Sequence, residues 1–470
     1  MTRFRTSSAG ELLVALDRDA TEPLHRQLEQ ELRTAIRAGR LEAEAALPST
    51  RTLSEQLGIS RGVVVEAYEQ LVAEGYLTSQ GGGATRVSSR VTDAAPASPI
   101  SRDAPTTPRI DFSYGRPDVR EFPRQAWLRS LRRVLATTPS ERLSYLDRRG
   151  APELREALAA YLNRVRGTAA TPDRIVITNG FAQALRLLTE LVRSRGGRRI
   201  GVEDPGQRDA VRAAHDSGLE VAAIPVDANG IRIEPLLAAD PDAVILTPAH
   251  QFPTGAVLAA DRRAALVDWA RAHNRLVVED DYDAEYRYDR EPIGAIQGLA
   301  PDHVAYAGSA SKTLAPGLRV GWLILPDAYV DEVAAFKETI DRGSPSLEQL
   351  ALADFLAHGD FDRHLRRMRP IYRARRDTLL RSIGRHLPDA EPVGASAGLH
   401  VLAWLPDDVD DAAVVARVRR DGVAAEHVSQ YYGQEDDGPS PRARSGLLFG
   451  YGTVAERAID EGVRLIAAAI

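Results

Sequence analysis

The chain contains no cysteine, which excludes disulfide bridges and thiolate-held metals. It is nearly as poor in lysine: of its 60 Lys+Arg residues only Lys312 and Lys337 are lysine. No apolar run approaches the ~20 residues that span a bilayer. Met1-Thr2-Arg3-Phe4-Arg5 also lacks the apolar core of a signal peptide. A cytoplasmic protein without membrane contact is therefore expected. An excess of positive charge is missing too. With a net charge of −6, any nucleic-acid contact has to come from a local motif. No metal site is expected. What the chain does have is length, since 470 residues exceed one ordinary core and point to two or three domains.

The scarcity of lysine gives the two survivors weight. A guanidinium stays protonated, whereas an ε-amine can lose its proton and attack a carbonyl. Lys312 lies in Gly308-Ser309-Ala310-Ser311-Lys312-Thr313-Leu314-Ala315-Pro316-Gly317-Leu318-Arg319-Val320-Gly321. Two hydroxyls, a glycine-flanked turn and Arg319 beside it suit a phosphate dianion.

In the first ninety residues Leu24, Leu28, Leu32 and Ile36 recur every four positions and stop at Gly39, an amphipathic helix with a glycine end. A short helix follows from Thr52 to Leu57. A turn at Gly58-Ile59-Ser60 then leads into a third helix from Arg61, with Ser60 as its cap and Gly75 as its end. Tyr76-Leu77-Thr78 and Ala84-Thr85-Arg86-Val87 read as a hairpin with a Gly81-Gly82-Gly83 tip. Helix, helix, turn, helix, hairpin is a winged helix-turn-helix. Residues 88–108, rich in Pro, Ser and Ala, carry no hydrophobic period and read as a linker. The expected domains are therefore 1–90, a linker over 91–108, and 109–470.

Beyond residue 109 short apolar runs alternate with helical stretches: Ile175–Thr178, Arg199–Val202, Ala243–Thr247 and Leu276–Glu279. This pattern predicts an α/β fold with a mostly parallel sheet covered on both faces. Polar groups follow the strands, where such sheets place their sites. They are Asn179-Gly180-Phe181, His250-Gln251-Phe252-Pro253-Thr254-Gly255, Asp280-Asp281-Tyr282-Asp283 and the lysine loop.

Over residues 47–77, "LPSTRTLSEQLGISRGVVVEAYEQLVAEGYL" resembles the signature of the GntR family of bacterial regulators. The resemblance implies a double-stranded DNA operator, a major-groove helix from Arg61, contacts from Ser49, Arg51 and Arg61, and a wing tip at Gly82 beside the minor groove. With eleven Arg against twelve Asp+Glu in residues 1–90, affinity would depend on cations gathered on one face and on paired sites. The second domain resembles fold-type I aminotransferases that use pyridoxal 5′-phosphate (PLP). These have an α/β/α sheet domain plus a smaller C-terminal α+β subdomain. The resemblance implies Lys312 as the Schiff-base lysine, Asp280 on the pyridine nitrogen and Tyr282 on the 3-hydroxyl oxygen. Gly180, Phe181, Ser309, Ser311 and Arg319 would hold the phosphate. Tyr145 would reach the partner's phosphate in a homodimer. "TPAHQFPTG", "VVEDDYDAEYRY" and "GSASKTLAPGLRVGW" together resemble the MocR/GabR subfamily of GntR regulators.

Three positions depart from a working transaminase. Phe252 replaces an asparagine, Gln207 an aromatic that stacks on the ring, and Leu448 an arginine that grips a substrate carboxylate. Gln207 or His250 is left as the stacking group, and Arg442 or Arg444 as a substitute cation. A carboxylate without a cationic partner is poorly held in a closed site. An amino-acid effector is therefore disfavoured, and the pattern is nearer to PdxR-type members, for which PLP itself is the signal. The expected function is a PLP-dependent transcriptional regulator sensing a small molecule, PLP or an amino compound, with no catalytic residue assigned. The alternative is an active aminotransferase with an accessory DNA-binding domain.

Overall fold

The computed structural model describes residues 16–79, 84–89, 108–145, 147–283, 285–288, 293–435, 438–439 and 444–470. The chain divides into two compact units, residues 1–106 and 107–470. The expected wing tip at Gly82 and the linker over 91–107 lie outside the described residues.

In the first unit, helices α1 (Leu24–Arg37), α2 (Thr50–Leu57) and α3 (Arg61–Ala73) precede strands β1 (Leu77–Thr78) and β2 (Arg86–Val87). The strands pair antiparallel, Leu77 opposite Val87. Leu28, Leu32 and Ile36 of α1 pack with Leu53, Val64, Tyr68 and Leu71 into one core. Gly75 follows α3 at φ +80°, a left-handed conformation in which glycine costs least. Ser60 occupies the N-cap position of α3, but its side chain makes no capping hydrogen bond.

In the second unit β3 (Ile110–Asp111), α4 (Arg124–Thr137) and α5 (Pro152–Arg166) lead into the main sheet. Its strands are β4 (Ile175–Thr178), β5 (Arg199–Asp204), β6 (Glu220–Asp227), β7 (Gly230–Ile231), β8 (Ala243–Leu246), β9 (Leu276–Asp281), β10 (Val304–Ser309) and β11 (Gly321–Ile324). Between them run α6 (Phe181–Ser194), α7 (Arg208–Asp216), α8 (Ile233–Ala239) and α9 (Ala260–His273). The spatial order is β4-β11-β10-β9-β8-β5-β6-β7. Strands β10, β9, β8, β5 and β6 are mutually parallel, while β11 runs against both of its neighbours.

Alternation along each strand explains why both faces are covered. Ile175 and Ile177 of β4 enter one core with Tyr306, Trp322 and Ile324. Val176, Ala305, Ala307 and Leu323 face another, beneath α6. Each such buried aliphatic side chain contributes about 1.5–3 kcal/mol, so a one-residue slip would exchange the two cores and is disfavoured.

Then come α10 (Asp327–Asp341), α11 (Ser346–Ala357) and the long α12 (Asp360–His386), followed by β12 (Glu391–Val393), β13 (His400–Trp404) and α13 (Asp411–Arg420). Strands β14 (Val423–Ala424), β15 (Glu426–His427), β16 (Gln434–Glu435), β17 (Gly438–Pro439) and β18 (Gly446–Gly450) precede the terminal α14 (Glu456–Ala467). A second sheet, β12-β13-β18-β15, forms the smaller C-terminal subdomain. Several arginines of α12 bind within this unit: Arg375 contacts Asp118 at 2.8 Å, Arg363 contacts Asp360 at 2.7 Å, and Arg376 stacks over Tyr288.

Candidate cofactor site and DNA-reading face

Lys312 stands three residues beyond β10, at the carboxyl edge of the sheet, where Ser311 N–H reaches back to Ser309 Oγ at 3.4 Å. Its Nζ donates to the Gly115 carbonyl at 2.7 Å rather than to a carboxylate, and lies 5.2 Å from the centroid of the Tyr114 ring. Gly115 has φ +78°, and a Cβ there would fall 2.6 Å from Nζ. A side chain there would push the amine aside and strain a left-handed backbone that glycine adopts freely. Burial lowers the Lys312 ammonium below its usual 10.5, opposed by the charges of Asp283 and Asp280.

Asp280 lies on β9 opposite Ala307 of β10, 2% exposed. Its Oδ2 accepts from Gln207 Nε2 at 2.6 Å. Burial pushes the carboxyl well above the usual carboxylate range, and the Gln207 bond pulls it partly back. A buried carboxylate with one neutral donor is undercompensated, and a cationic N–H would complete it. The hydroxyl of Tyr282 donates to the His250 carbonyl at 2.9 Å. His250 Nδ1 lies 3.1 Å from Asp283 Oδ2, and its Nε2 lies 3.2 Å from the Gly394 carbonyl. His250, Asp283 and His400 bring ligand atoms within 4.8 Å of one another, but hydrogen bonding already accounts for the His250–Asp283 pair. Of the two residues offered from the sequence as a stacking group, Gln207 binds Asp280, and the His250 ring is fixed at both nitrogens by bonds that leave its faces unengaged.

The phosphate-type residues share the same edge. Helix α6 begins at Phe181 after Gly180 (φ +85°) with no side-chain cap, which leaves an anion-binding N-terminus. The Arg319 guanidinium donates to the Asn179 carbonyl at 2.5 Å. It closes over the turn so tightly that a Cβ on Gly180 would sit 2.9–3.0 Å from it. Register places Ser309 opposite Gly321, and Gly321 opposite Thr178. Gly180, Phe181, Ser309, Ser311 and Arg319 are thus gathered beside Lys312. Tyr145 is 86% exposed and belongs to a surface rather than to this edge.

On the opposite wall Leu448 is fully buried with Phe252, Tyr282, Leu402 and Val428, and with Tyr114, Trp404 and Tyr431 around them. No cation occupies the position. Arg444, the offered substitute, pairs with Glu391 at 3.0 Å and stacks on Trp404, while Arg442 lies outside the described residues. Sequence reading missed Tyr114, Gly115, Glu426 and Tyr431. The signal for the first pair was the turn Ser113-Tyr114-Gly115-Arg116-Pro117 at the domain's start. The other two had none.

In the first unit Arg51 and Arg61 are exposed. Arg61 opens α3 and its Nε reaches Thr50 Oγ1 at 3.3 Å, while Arg51 pairs with Glu55 at 3.1 Å. Ser49, offered as a DNA contact, is exposed and also caps α2, its Oγ accepting from Thr52 N–H at 3.1 Å.

Comparison with known proteins decides the family. Residues 24–87 match the bacterial regulatory proteins of the gntR family, and residues 107–435 match aminotransferase class I and II. The probable rhizopine catabolism regulatory protein MocR of Rhizobium meliloti is 33% identical over 97% of this chain and 96% of its own length. The chain belongs to the MocR/GabR subfamily of GntR regulators. The pyridoxine biosynthesis transcriptional regulator PdxR of Corynebacterium glutamicum, also 33% identical, covers 94% of this chain and 95% of its own. The kynurenine aminotransferase of Pyrococcus horikoshii superposes on 77% of this chain and 91% of its own, with a TM-score of 0.70 and 26% identity. As a MocR/GabR regulator the protein is a DNA-binding transcriptional regulator with a fold-type I aminotransferase-like domain. Among the described residues no helix is long and apolar enough to cross a membrane.

Proposed function

We propose that this regulator holds PLP on Lys312 and that occupancy of this pocket sets its affinity for an operator. The observation that carries the reading is the Lys312 amine, kept off any carboxylate at 2.7 Å from a carbonyl beside an undercompensated buried acid. The residues fit the group. Arg319 and the uncapped start of α6 would hold the phosphate, Asp280 the ring nitrogen, and Lys312 the aldehyde carbon. When bound, PLP supplies an electrophilic aldehyde that condenses with amines. Tyr145, with exposed Leu143 and Leu135 nearby in sequence, supports a homodimer in which the tyrosine reaches the partner's site. Arg51 and Arg61 would contact cytoplasmic DNA, Arg61 from the start of the groove helix.

The signal is a small molecule, PLP or an amino compound. Leu448 in its apolar wall supports the choice of PLP over an α-amino acid, whose carboxylate would meet no cation. Binding would shift the balance between DNA-competent and incompetent states, for which a few kcal/mol of differential affinity suffices. The test is a titration of affinity for the DNA upstream of the regulator's own gene, first with PLP and then with amines, on parent and Lys312→Ala protein. Ligand-independent affinity in the parent would sink the sensing reading. In the same assay Arg61→Ala should reduce the slope of log affinity against log salt by about one, with PLP uptake unaltered.

A further inference from the structure

Helix α3 carries a glycine that the first unit does not need. Gly62, its second residue, is exposed, and its backbone is that of the helix, with no left-handed φ to call for glycine. Beyond the helix's own backbone, a Cβ built there would meet only Ser60 Oγ, at 3.9 Å. No neighbour forbids a side chain, and glycine is a poorer helix former than any residue but proline. What a bare position on an outer face does provide is close approach by another body.

The helical repeat shows what stands beside the gap. Val64, Ala67, Tyr68 and Leu71 form the buried side of α3. Arg61, Gly62, Glu66 and Glu69 are exposed, and Val65 is partly so. Val65 follows Arg61 by four residues and Gly62 by three, so the three share one face. Arg61 reaches from this face toward α2, where its Nε meets Thr50 Oγ1 at 3.3 Å, next to exposed Arg51. Glu66 leans the other way, 3.6 Å from His25 of α1. Carboxylates at 66 and 69 repel phosphate while Arg51 and Arg61 attract it. Approach by DNA is thereby confined to the N-terminal turns of α3. The apolar group presented there is the branched side chain of Val65. In the major groove the matching apolar feature is the 5-methyl of thymine, since the other three bases show polar edges.

Resting on the reading of α3 as the helix that enters the major groove, we propose that Val65 selects a thymine by its 5-methyl group. The missing side chain at Gly62 lets the helix come close enough for that contact. Arg51 and Arg61 hold the duplex whatever its sequence, and Val65 makes the choice.

The experiment selects preferred sites for the full-length protein from random duplexes. Each thymine of the selected site is then replaced singly by deoxyuridine, which removes the methyl and nothing else. At least one replacement should weaken binding about fourfold, the worth of one buried methyl. In Val65→Ala the same replacement should make no difference. Gly62→Ala should keep or raise the thermal midpoint of the protein alone, because alanine is the better helix former and meets open space. It should nevertheless weaken the selected site about tenfold. Uracil tolerated at every position would overturn the proposal, as would sensitivity that survives in Val65→Ala. Parental affinity in Gly62→Ala would overturn it too. The uracil series on the parent needs no variant, so a misfolded variant cannot obscure the outcome. Arg61→Ala that binds selected and random duplexes as the parent does would instead remove the groove-helix reading beneath it. Weakened binding by Arg61→Ala together with tolerated uracil removes this inference alone.

Discussion

Lys312 and Lys337 are the two lysines of the chain, and burial lowers the ammonium of both. Their surroundings differ in what answers the charge. Lys337, on α10 and fully buried, donates to both oxygens of Asp341 at 3.0 Å. Asp341 also takes Asn179 Nδ2 at 3.0 Å, Gln183 Nε2 at 2.7 Å and the Gly343 N–H at 2.8 Å. Lys312, partly accessible, has only a carbonyl. A buried cation with its anion in place is structural, and here, through Asp341, it braces the turn at Asn179 and Gly180 proposed to hold the phosphate. A cation without one leans toward the neutral amine that can condense with an aldehyde. Arg suits neither place: its five donors exceed the acceptors around Asp341, and it never deprotonates at Lys312.

The largest effect should come from erasing that difference. Lys312→Arg keeps the charge and removes the nucleophile, so borohydride reduction after PLP treatment should leave the protein's mass unchanged, with circular dichroism as in the parent. A reduced adduct on the variant would mean that Lys337 or the N-terminus carries the aldehyde, and the contrast would fail. The parent's condensation rate should also climb with pH as free amine forms. Because burial holds the folded ammonium below 10.5, the midpoint of that rise should fall below that pH. A stopped-flow profile with its midpoint at or above it would describe an ordinary solvated lysine.

Next in size is Lys337→Met, which strands Asp341 in a largely buried site. The expected loss is roughly 3 kcal/mol of unfolding free energy, read by denaturant titration, and Asp341→Asn added to it should recover part. If the braced turn holds the phosphate as proposed, affinity for PLP should fall more than affinity for pyridoxal. Equal losses for both ligands would confine Lys337 to stability.

The contrast also shows how much was legible in the sequence. Lys312, Asp280, Gly180 and Arg319 are readable because the backbone places them: Asp280 near the end of β9, Gly180 and Lys312 just after β4 and β10, and Arg319 just before β11, and strand ends are visible as hydrophobic runs. The winged helix is readable because its core residues keep a helical period. Side-chain pairings across distant elements are not. Nothing in the row ties Lys337 to Asn179 through Asp341, Gln207 to Asp280, or Glu426 to Tyr114 across 312 residues. These depend on which rotamers meet once the two sheets have packed. Ser49 carries a second role beside the one the resemblance implies: it satisfies a helix end, which its position before α2 already allowed.

The smallest effect tests whether Asp280 is waiting for a cation. Gln207→Leu removes the one donor on Asp280 Oδ2, and the unmatched acceptor should cost about 1–2 kcal/mol in the PLP-free protein. With PLP bound, the ring nitrogen would supply the missing donor to Asp280, so the penalty should shrink or vanish. Thermal midpoints of parent and variant, each with and without PLP, separate the cases. A penalty that persists undiminished in the loaded protein would make Gln207 a packing residue at the start of α7. Asp280 would then be compensated by the fold, as Asp341 is, and the distinction between the two lysine sites would rest on Lys312 alone.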